Sequence, residues 1–160
     1  MSVLSGRRII LGVAGSIAAS KAADLASKLT QAGAQVDVIL SGAAEKFITS
    51  LTFQSVTGRR AFVDGDLWGN EAHVLQVGLG HSVDLVIIAP CTANTMAKLA
   101  HGIAVSLLTV TALAASCPLV IAPAMDGGMF DHPATRENLE KSRDRQWMPS
   151  WGGGPALSEA

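Results

Sequence analysis

Short apolar runs alternate along the chain with longer segments in which apolar residues recur at helical spacing. Four runs rich in Val, Ile and Leu predict strands at 7–15, 35–42, 83–90 and 117–125. Each run is nearly continuous, which is typical of strands that are covered on both faces. Helical spacing predicts helices at 16–33, 92–103, 106–116 and 132–145. This alternation predicts one α/β domain over 1–160, with a parallel sheet between two layers of helices.

The first predicted helix has clear boundary signals. It opens at Ser16, a residue type that caps helix N-termini, and closes at Gly33, a residue type that ends helices. The N-terminal segment before it, MSVLSGRRIILGVAGS, is interpreted as the first strand and not as a signal peptide, because its apolar run ends in a glycine-rich turn.

Polar residues follow the predicted strands at the points where each strand ends. Ser16, Ser41, Thr92 and Asp126 occupy these places. Ligands of open parallel sheets bind beyond the carboxyl ends of the strands, so these four residues favour a binding site at one edge. The alternative is purely structural, with Ser16 and Thr92 or Asn94 as helix caps and Asp126 in an Asx turn before Gly127.

The turns indicate a phosphate-bearing ligand other than NAD. The first turn, GVAGSIAAS, matches neither G-x-G-x-x-G nor a phosphate loop with Gly-Lys-Ser/Thr. It nevertheless places a glycine and a serine before a helix, where free amides and the helix dipole suit a phosphate. Asp37 lies inside the second strand, whereas a ribose-binding acid follows the strand end in NAD sites.

Composition narrows the classes of partner. The formal charge of −1 at pH 7 gives no electrostatic basis for binding nucleic acid or an anionic membrane. Apolar residues make up 49% of the chain. No apolar run reaches the roughly 18 residues of a membrane span. Cys91 and Cys117 have no metal-ligand spacing and fit a reducing compartment, so we expect a cytoplasmic protein without a bound metal.

Four segments together resemble a known family. GSIAASKA, SGAAEKFI, APCTANTMAKLAHGIA and PLVIAPAMDGGMFDHPATRENL occur in the order found in the homo-oligomeric flavin-containing cysteine decarboxylases, and the resemblance covers about residues 7 to 145. It implies a Rossmann-like (flavodoxin-like) three-layer sandwich with a parallel sheet, an FMN cofactor, and a homotrimer that sometimes assembles into a dodecamer. It also implies oxidation and decarboxylation of a substrate's terminal cysteine, which leaves an enethiol.

The resemblance also implies site residues. Asp126, Met125 and Met129 would contact the substrate, with Asp126 in a catalytic position. The residues that would bind FMN are Gly15, Ser16, Ile17, Ser41, Phe47, Thr92, Ala93, Asn94 and Thr95. Gly15, Ser16 and Ser41 would face the phosphate and ribityl chain, and Phe47 would lie near the flavin.

The chain departs from the family at its catalytic positions. Asp126 stands where the family has Asn; an ionised Asp only accepts hydrogen bonds, so it is either protonated by burial, or contacts another group, or leaves the substrate carboxylate to other residues. Gln76 stands where the family has a catalytic His. His73 would be a substitute base if both residues lie on one helix.

Further departures lie elsewhere in the chain. His81, His101 and His132 have weaker claims to a catalytic role, and His101 is expected to be structural. Val105 and Ser106 stand where the family often has acidic or Asn residues, and the C-terminal segment lacks the family's flap cysteine.

Three functions remain open at this point. The missing flap cysteine and a lone domain favour an enethiol-forming decarboxylase of a peptide with a C-terminal cysteine over phosphopantothenoylcysteine decarboxylation in coenzyme A synthesis. A non-catalytic FMN-binding subunit or scaffold of a hetero-oligomeric decarboxylase is the alternative, because the His and Asn are both replaced. The flavin prenyltransferase branch is disfavoured by PAMDGGMFDHPAT.

Overall fold

The computed structural model describes residues 2–69, 82–144 and 147–149, and a six-stranded parallel sheet runs through them. The strands are β1 (Arg8–Val13), β2 (Gln35–Leu40), β3 (Ala61–Phe62), β4 (Leu85–Cys91), β5 (Leu119–Pro123) and β6 (Trp147–Pro149). Their order across the sheet is β3-β2-β1-β4-β5-β6. This is the order of doubly wound dinucleotide-binding sheets, whose ligands bind where the order reverses, between β1 and β4.

Helices cover the two faces of the sheet. They are α1 (Ala19–Gln31), α2 (Ser50–Thr57), α3 (Ala93–His101), α4 (Leu107–Ala114), α5 (Gly127–Asp131) and α6 (Pro133–Asp144), with short 3-10 turns at Ala44–Lys46 and Asp64–Trp68. Alternate residues of β1 point to opposite faces, so Leu11 packs with α1 and α2 while Ile10 packs with α3, α4 and α6. The predicted three-layer α/β class is therefore confirmed.

The predicted boundaries hold for most elements, with one correction at α1. The helix begins at Ala19 and not at Ser16, and its N-cap Ala18 has no capping side chain. Ser16 instead accepts a hydrogen bond from the Ala18 amide on its Oγ at 3.2 Å, which forms a turn before the helix. The predicted end is confirmed, because Gly33 has a φ of +94° that favours glycine.

Polar side chains near the amino ends of β1, β2 and β4 form an ionic cluster. We call it the amino-edge cluster and define it as Arg8, Asp37, Arg59, Ser82 and Asp84. Asp37 accepts from Arg59 Nε at 2.8 Å and from Arg8 Nη2 at 3.3 Å, and Asp84 accepts from the Arg8 amide at 2.8 Å. Arg8 also donates to the Ser82 hydroxyl. The hydrogen bond to Asp37 is the main cause that raises the pKa of Arg59.

No helix in the described ranges is long and apolar enough to cross a membrane.

Candidate functional site

A cleft of about 310 Å³ opens at the carboxyl edge of the sheet, above β1, β2 and β4. It lies at the position where doubly wound sheets bind ligands, and its volume is at the lower end of small-molecule sites. Twelve described residues line it: Gly15, Ser41, Gly42, Ala43, Asp64, Thr92, Asn94, Thr95, Lys98, Ser106, Leu108 and Thr109. The cleft therefore brings together loops that are far apart in sequence.

Close contact between two loops forms one wall. A Cβ atom built on Gly15 would lie 2.4 Å from the Cβ of Ala43, so only glycine lets the loop after β1 approach the loop after β2 this closely. Ser41 fixes the second loop by accepting a hydrogen bond from the Ala44 amide on its Oγ at 3.1 Å. This wall is therefore set by backbone approach, with small side chains facing the cleft.

The N-terminus of α3 forms the opposite wall. Thr92 is the N-cap, and its Oγ1 accepts from the Thr95 amide at 3.2 Å. The structural interpretation of Thr92 as a helix cap is thus confirmed. The other amides of the first turn have no acceptor within the helix, and the helix dipole adds partial positive charge at this end. This wall suits an anionic or strongly polar ligand.

Asp64 connects three segments around the cleft. Its Oδ2 accepts from the Gly42 amide at 3.0 Å and its Oδ1 accepts from the Leu107 amide at 3.3 Å. The carboxylate therefore holds the loop after β2 and the first turn of α4 against the 3-10 turn in which it lies. Sequence analysis missed Asp64, because its role depends on elements that meet only in the fold.

Lys98 was also missed, although the sequence contained a signal for it. It follows Asn94 by four residues on α3, and that spacing places both side chains on one face of the helix. Asn94 belonged to the predicted site, so its neighbour one turn later was a candidate. Of the described lining residues, Lys98 and Asp64 are the ones that carry charge.

The predicted cofactor residues divide into two groups. Gly15, Ser41, Thr92, Asn94 and Thr95 line the cleft, whereas Ser16, Ile17, Phe47 and Ala93 do not. Ile17 and Phe47 are exposed apolar side chains that follow the lining segments in sequence. Their contacts with a cofactor stay predictions.

Ser106 has a local role that explains its residue type. It is the N-cap of α4, where its Oγ accepts from the Thr109 amide at 3.2 Å while Thr109 Oγ1 accepts from the Ser106 amide at 3.0 Å. This reciprocal pair satisfies two amides at the start of the helix. Although Val105 and Ser106 replace the acidic or Asn residues of the family, the N-terminus of α4 is still capped, by Ser106 and Thr109.

Asp126 follows β5 at the same edge of the sheet but does not line the cleft. It is the N-cap of α5, and its Oδ2 accepts from the Gly128 amide at 3.1 Å. The side chain is exposed, so the burial considered for Asp126 is not found in the described chain. The predicted backbone role is confirmed, and one carboxylate oxygen has no hydrogen-bond donor among the described residues.

The two methionines beside Asp126 occupy different environments. Met125 is 7% exposed and packs in the core with Met96 and Leu119, whereas Met129 is 50% exposed. The exposed side chain of Met129 is therefore accessible to a substrate, whereas the buried side chain of Met125 anchors the loop after β5 in the core. Substrate contact by either residue stays a prediction.

The histidines give no catalytic pair in the described ranges. His101 Nε2 lies 3.0 Å from Asn138 Oδ1, which ties the end of α3 to α6 and agrees with the expected structural role. His132 Nδ1 accepts from the Ala134 amide at 3.1 Å at the start of α6. His73, Gln76 and His81 lie outside the described residues, as do residues 150–160 of the C-terminal segment. The ranges 2–69 and 82–144 contain no cluster that could hold a metal ion.

Comparisons with known proteins agree with this geometry. The model of the Flavoprotein family matches residues 2–155. The coenzyme A biosynthesis bifunctional protein CoaBC of Bacillus subtilis is 44% identical over 137 residues, which are 86% of this chain and 34% of that protein. The corresponding protein of Vibrio cholerae is 42% identical over 161 residues, which are 99% of this chain and 39% of that protein. The chain thus spans little more than a third of these relatives.

Solved structures show the same architecture. The FMN-dependent cysteine decarboxylase SpaF superposes with a TM-score of 0.83 at 34% identity, over 92% of this chain and 85% of that chain. A C175S mutant of PPC decarboxylase, in complex with pantothenoylaminoethenethiol, superposes with a TM-score of 0.75 at 25% identity, over 90% of this chain and 81% of that chain. The predicted family and its FMN cofactor are confirmed by these matches. The chain belongs to the flavoprotein family.

Proposed function

We propose that the chain binds FMN at the carboxyl-edge cleft and catalyses the oxidative decarboxylation of phosphopantothenoylcysteine. The observation that carries this proposal is the 44% identity to a coenzyme A biosynthesis protein over 86% of the chain. Sequence analysis favoured a peptide substrate, and the sequence relatives point instead to the coenzyme A route. The enethiol in the PPC decarboxylase mutant complex, pantothenoylaminoethenethiol, has the chemistry expected of such a product.

The described residues fit a phosphorylated flavin. The cleft joins a glycine-narrowed wall at Gly15 and Ala43 to the first turn of α3, where amides without helical acceptors suit a phosphate. Ser41, Asn94 and Thr95 add polar groups of the kind that bind a ribityl chain. With a volume of about 310 Å³, the cleft would hold the phosphate and ribityl part of FMN.

The chemistry divides between the cofactor and the chain. Bound FMN would accept two electrons and two protons from the substrate's CH2–SH group, which becomes a thioaldehyde. Loss of CO2 then leaves the electron pair in an enethiolate, which takes up one proton to give the enethiol. The reduced cofactor would return two electrons and two protons to the carbon–carbon bond, which gives the thiol of the coenzyme A route. The chain's task is to hold the cysteine against the flavin and to exclude water.

Asp126 sets a condition on the substrate pose. Its Oδ2 is fixed by the Gly128 amide, so the free Oδ1 faces whatever approaches the N-terminus of α5. A carboxylate there repels the carboxylate of the cysteine. We therefore infer that the leaving carboxylate lies away from Asp126 Oδ1 and that other donors hold it.

Mass spectrometry of the products would test the proposal. FMN-loaded protein would be incubated with phosphopantothenoylcysteine and, separately, with peptides that end in cysteine. We expect loss of CO2 from phosphopantothenoylcysteine and an unchanged peptide. Loss of CO2 and two hydrogens from a peptide alone would overturn the substrate in favour of a peptide. If neither substrate changes in mass while FMN stays bound, the result would favour the alternative function, a non-catalytic FMN-binding subunit.

A homotrimer remains a prediction of the family resemblance. Exposed apolar side chains near the cleft loops, including Ile17, Phe47 and Leu51, are surfaces that a subunit contact would cover. Light scattering of the FMN-loaded protein would measure the assembly. A monomer that retains FMN would contradict the predicted trimer. A cytoplasmic location likewise stays a prediction.

A further inference from the structure

Lys98 is a half-buried lysine whose charge is not neutralised by the described part of the chain. It lies on α3, one turn after Asn94, and lines the carboxyl-edge cleft. No carboxylate of the described residues lies within ion-pair distance of its Nζ, and no described hydrogen bond involves its side chain. Lys28 and Lys141, by comparison, pair with Asp24 and Glu137 at 2.6 Å and 3.0 Å.

The one carboxylate that lines the cleft is already engaged elsewhere. Both oxygens of Asp64 accept backbone amides, from Gly42 and Leu107. The Asp64 charge is therefore held at the junction of the loop after β2 with α4, and Lys98 forms no ion pair with it. A cation without a counter-charge remains on the cleft wall.

An anionic ligand would resolve this arrangement. Partial burial disfavours an isolated ammonium group, and a nearby anion offsets that cost. The phosphate of FMN carries close to two negative charges and has oxygens that accept strong charge-assisted hydrogen bonds. We propose that the Lys98 ammonium group binds the 5′-phosphate of FMN. This inference rests on the proposed FMN site and does not depend on which cysteine substrate is decarboxylated.

Lys98 has a second environment that guides the choice of variant. It borders a small gap between α3 and α4 that is also lined by Leu99, Ile103 and Leu113. Replacing Lys98 by Met keeps an unbranched apolar stem in this gap and removes only the charge. K98R keeps the charge with a longer side chain, which makes it the conservative variant.

The test compares two flavins that differ only in the phosphate. Flavin-free protein would be titrated with FMN and with riboflavin, and binding would be followed by quenching of flavin fluorescence. We expect K98M to weaken FMN binding roughly 10- to 100-fold, the effect of one charge-assisted hydrogen bond, and to leave riboflavin binding within about twofold of wild type. K98R should recover most of the FMN affinity. K28M removes the same charge from an exposed helical position and should bind both flavins as wild type does.

The outcomes separate this inference from the proposed function. Wild-type FMN affinity in K98M, or equal weakening of FMN and riboflavin, would overturn the phosphate assignment while leaving the FMN site in place. A wild-type protein that binds neither flavin would overturn both proposals. A difference in FMN affinity between wild type and K98M that does not grow as salt is lowered would also count against Lys98, because lower salt screens a charge–charge attraction less.

Discussion

The two edges of the sheet use polar residues in opposite ways. At the amino edge, Asp37 is enclosed by the guanidinium groups of Arg8 and Arg59, and Asp84 accepts from the Arg8 amide. At the carboxyl edge, Lys98 and the first-turn amides of α3 face a cleft and have no described counter-charge. At the amino edge, the charges of the side chains neutralise one another. At the carboxyl edge, the positive charge of Lys98 is left for an anionic ligand to neutralise.

The contrast shows why charge alone does not mark a site. Both edges hold acidic and basic side chains, and both lie at the ends of the same strands. Both carboxylate oxygens of Asp37 accept hydrogen bonds from Arg8 and Arg59, so the side chain stabilises the fold and is not available to a ligand. The difference between the two edges predicts that variants at the amino edge change folding, whereas variants at the carboxyl edge change FMN binding.

The largest expected effect follows from removing the Asp37 charge. D37N leaves two guanidinium groups beside a neutral amide, and breaking a buried pair in this way costs about 3–5 kcal/mol. The Arg8 and Arg59 side chains are 31% and 38% exposed, so water compensates part of the loss. We expect D37N to lower the free energy of unfolding by roughly 2–3 kcal/mol in urea titrations.

D24N is the matched control for this comparison. Asp24 pairs with Lys28 on the surface of α1, where an ion pair contributes only a few tenths of a kcal/mol. At a temperature where the D37N protein is folded, we expect it to bind FMN with the affinity of wild type. If D37N abolished FMN binding in the folded protein, the division between the two edges would be wrong.

The next effect is expected at Gly15. In G15A the new Cβ would lie 2.4 Å from Ala43 Cβ, so the loops after β1 and β2 must separate. Overpacking of this kind costs about 1–3 kcal/mol, and we expect FMN affinity to fall roughly tenfold or more. Flavin fluorescence titration would measure it. G65A, whose new Cβ has nothing within 4 Å, should bind FMN as wild type does.

A smaller effect is expected at Asp126. D126N removes the charge that repels the substrate carboxylate, and Asn caps α5 as well as Asp does. Two charges at about 4 Å in water interact by roughly 1 kcal/mol, and the leaving carboxylate lies away from Asp126, so kcat/KM should rise by no more than roughly fivefold with phosphopantothenoylcysteine. D131N, which breaks the exposed Asp131–Arg136 pair nearby, should leave kcat/KM unchanged. A fall in kcat/KM for D126N would show that the carboxylate itself serves the reaction.

The smallest effect concerns the buried thiol of Cys91 at the carboxyl end of β4. Complete burial raises the pKa of Cys91 to about 12, from a usual value of 9.0. Above pH 9 the thiol ionises in the unfolded chain but not in the folded one, so stability falls as pH rises towards 12. This contributes about 0.8 kcal/mol of lost stability at pH 9.5.

Comparison of two cysteine variants would isolate this contribution. C91A should show a shallower loss of unfolding free energy between pH 7.5 and 9.5 than wild type does. Cys117 is only partly buried, so C117A should differ less from wild type. Identical pH slopes for C91A and wild type would contradict the account of the buried thiol.

Much of the fold was predictable because its strands are long and apolar. Continuous runs located β1, β2, β4 and β5 to within a few residues, and Gly33 marked the end of α1. The two-residue β3 carries too little periodicity to be recognised, since it is defined by pairing with β2. α1 starts three residues after Ser16, because that serine's hydroxyl caps a preceding turn and not the helix.

The site was predictable only where it follows strand ends. Gly15, Ser41 and Thr92 come within two residues of the ends of β1, β2 and β4, so the sequence placed them at one edge. Asp64 was not predictable, since its two acceptor contacts join a 3-10 turn to distant amides. The exposure of Asp126 was likewise a property of the fold.

A crystal structure of the protein with FMN would show which edge of the sheet and which cleft hold the cofactor. We expect FMN in the carboxyl-edge cleft, with its phosphate between Gly15, Ser41 and Lys98. FMN bound instead in the groove between α1 and β4, beside Leu25 and Pro90, would contradict it.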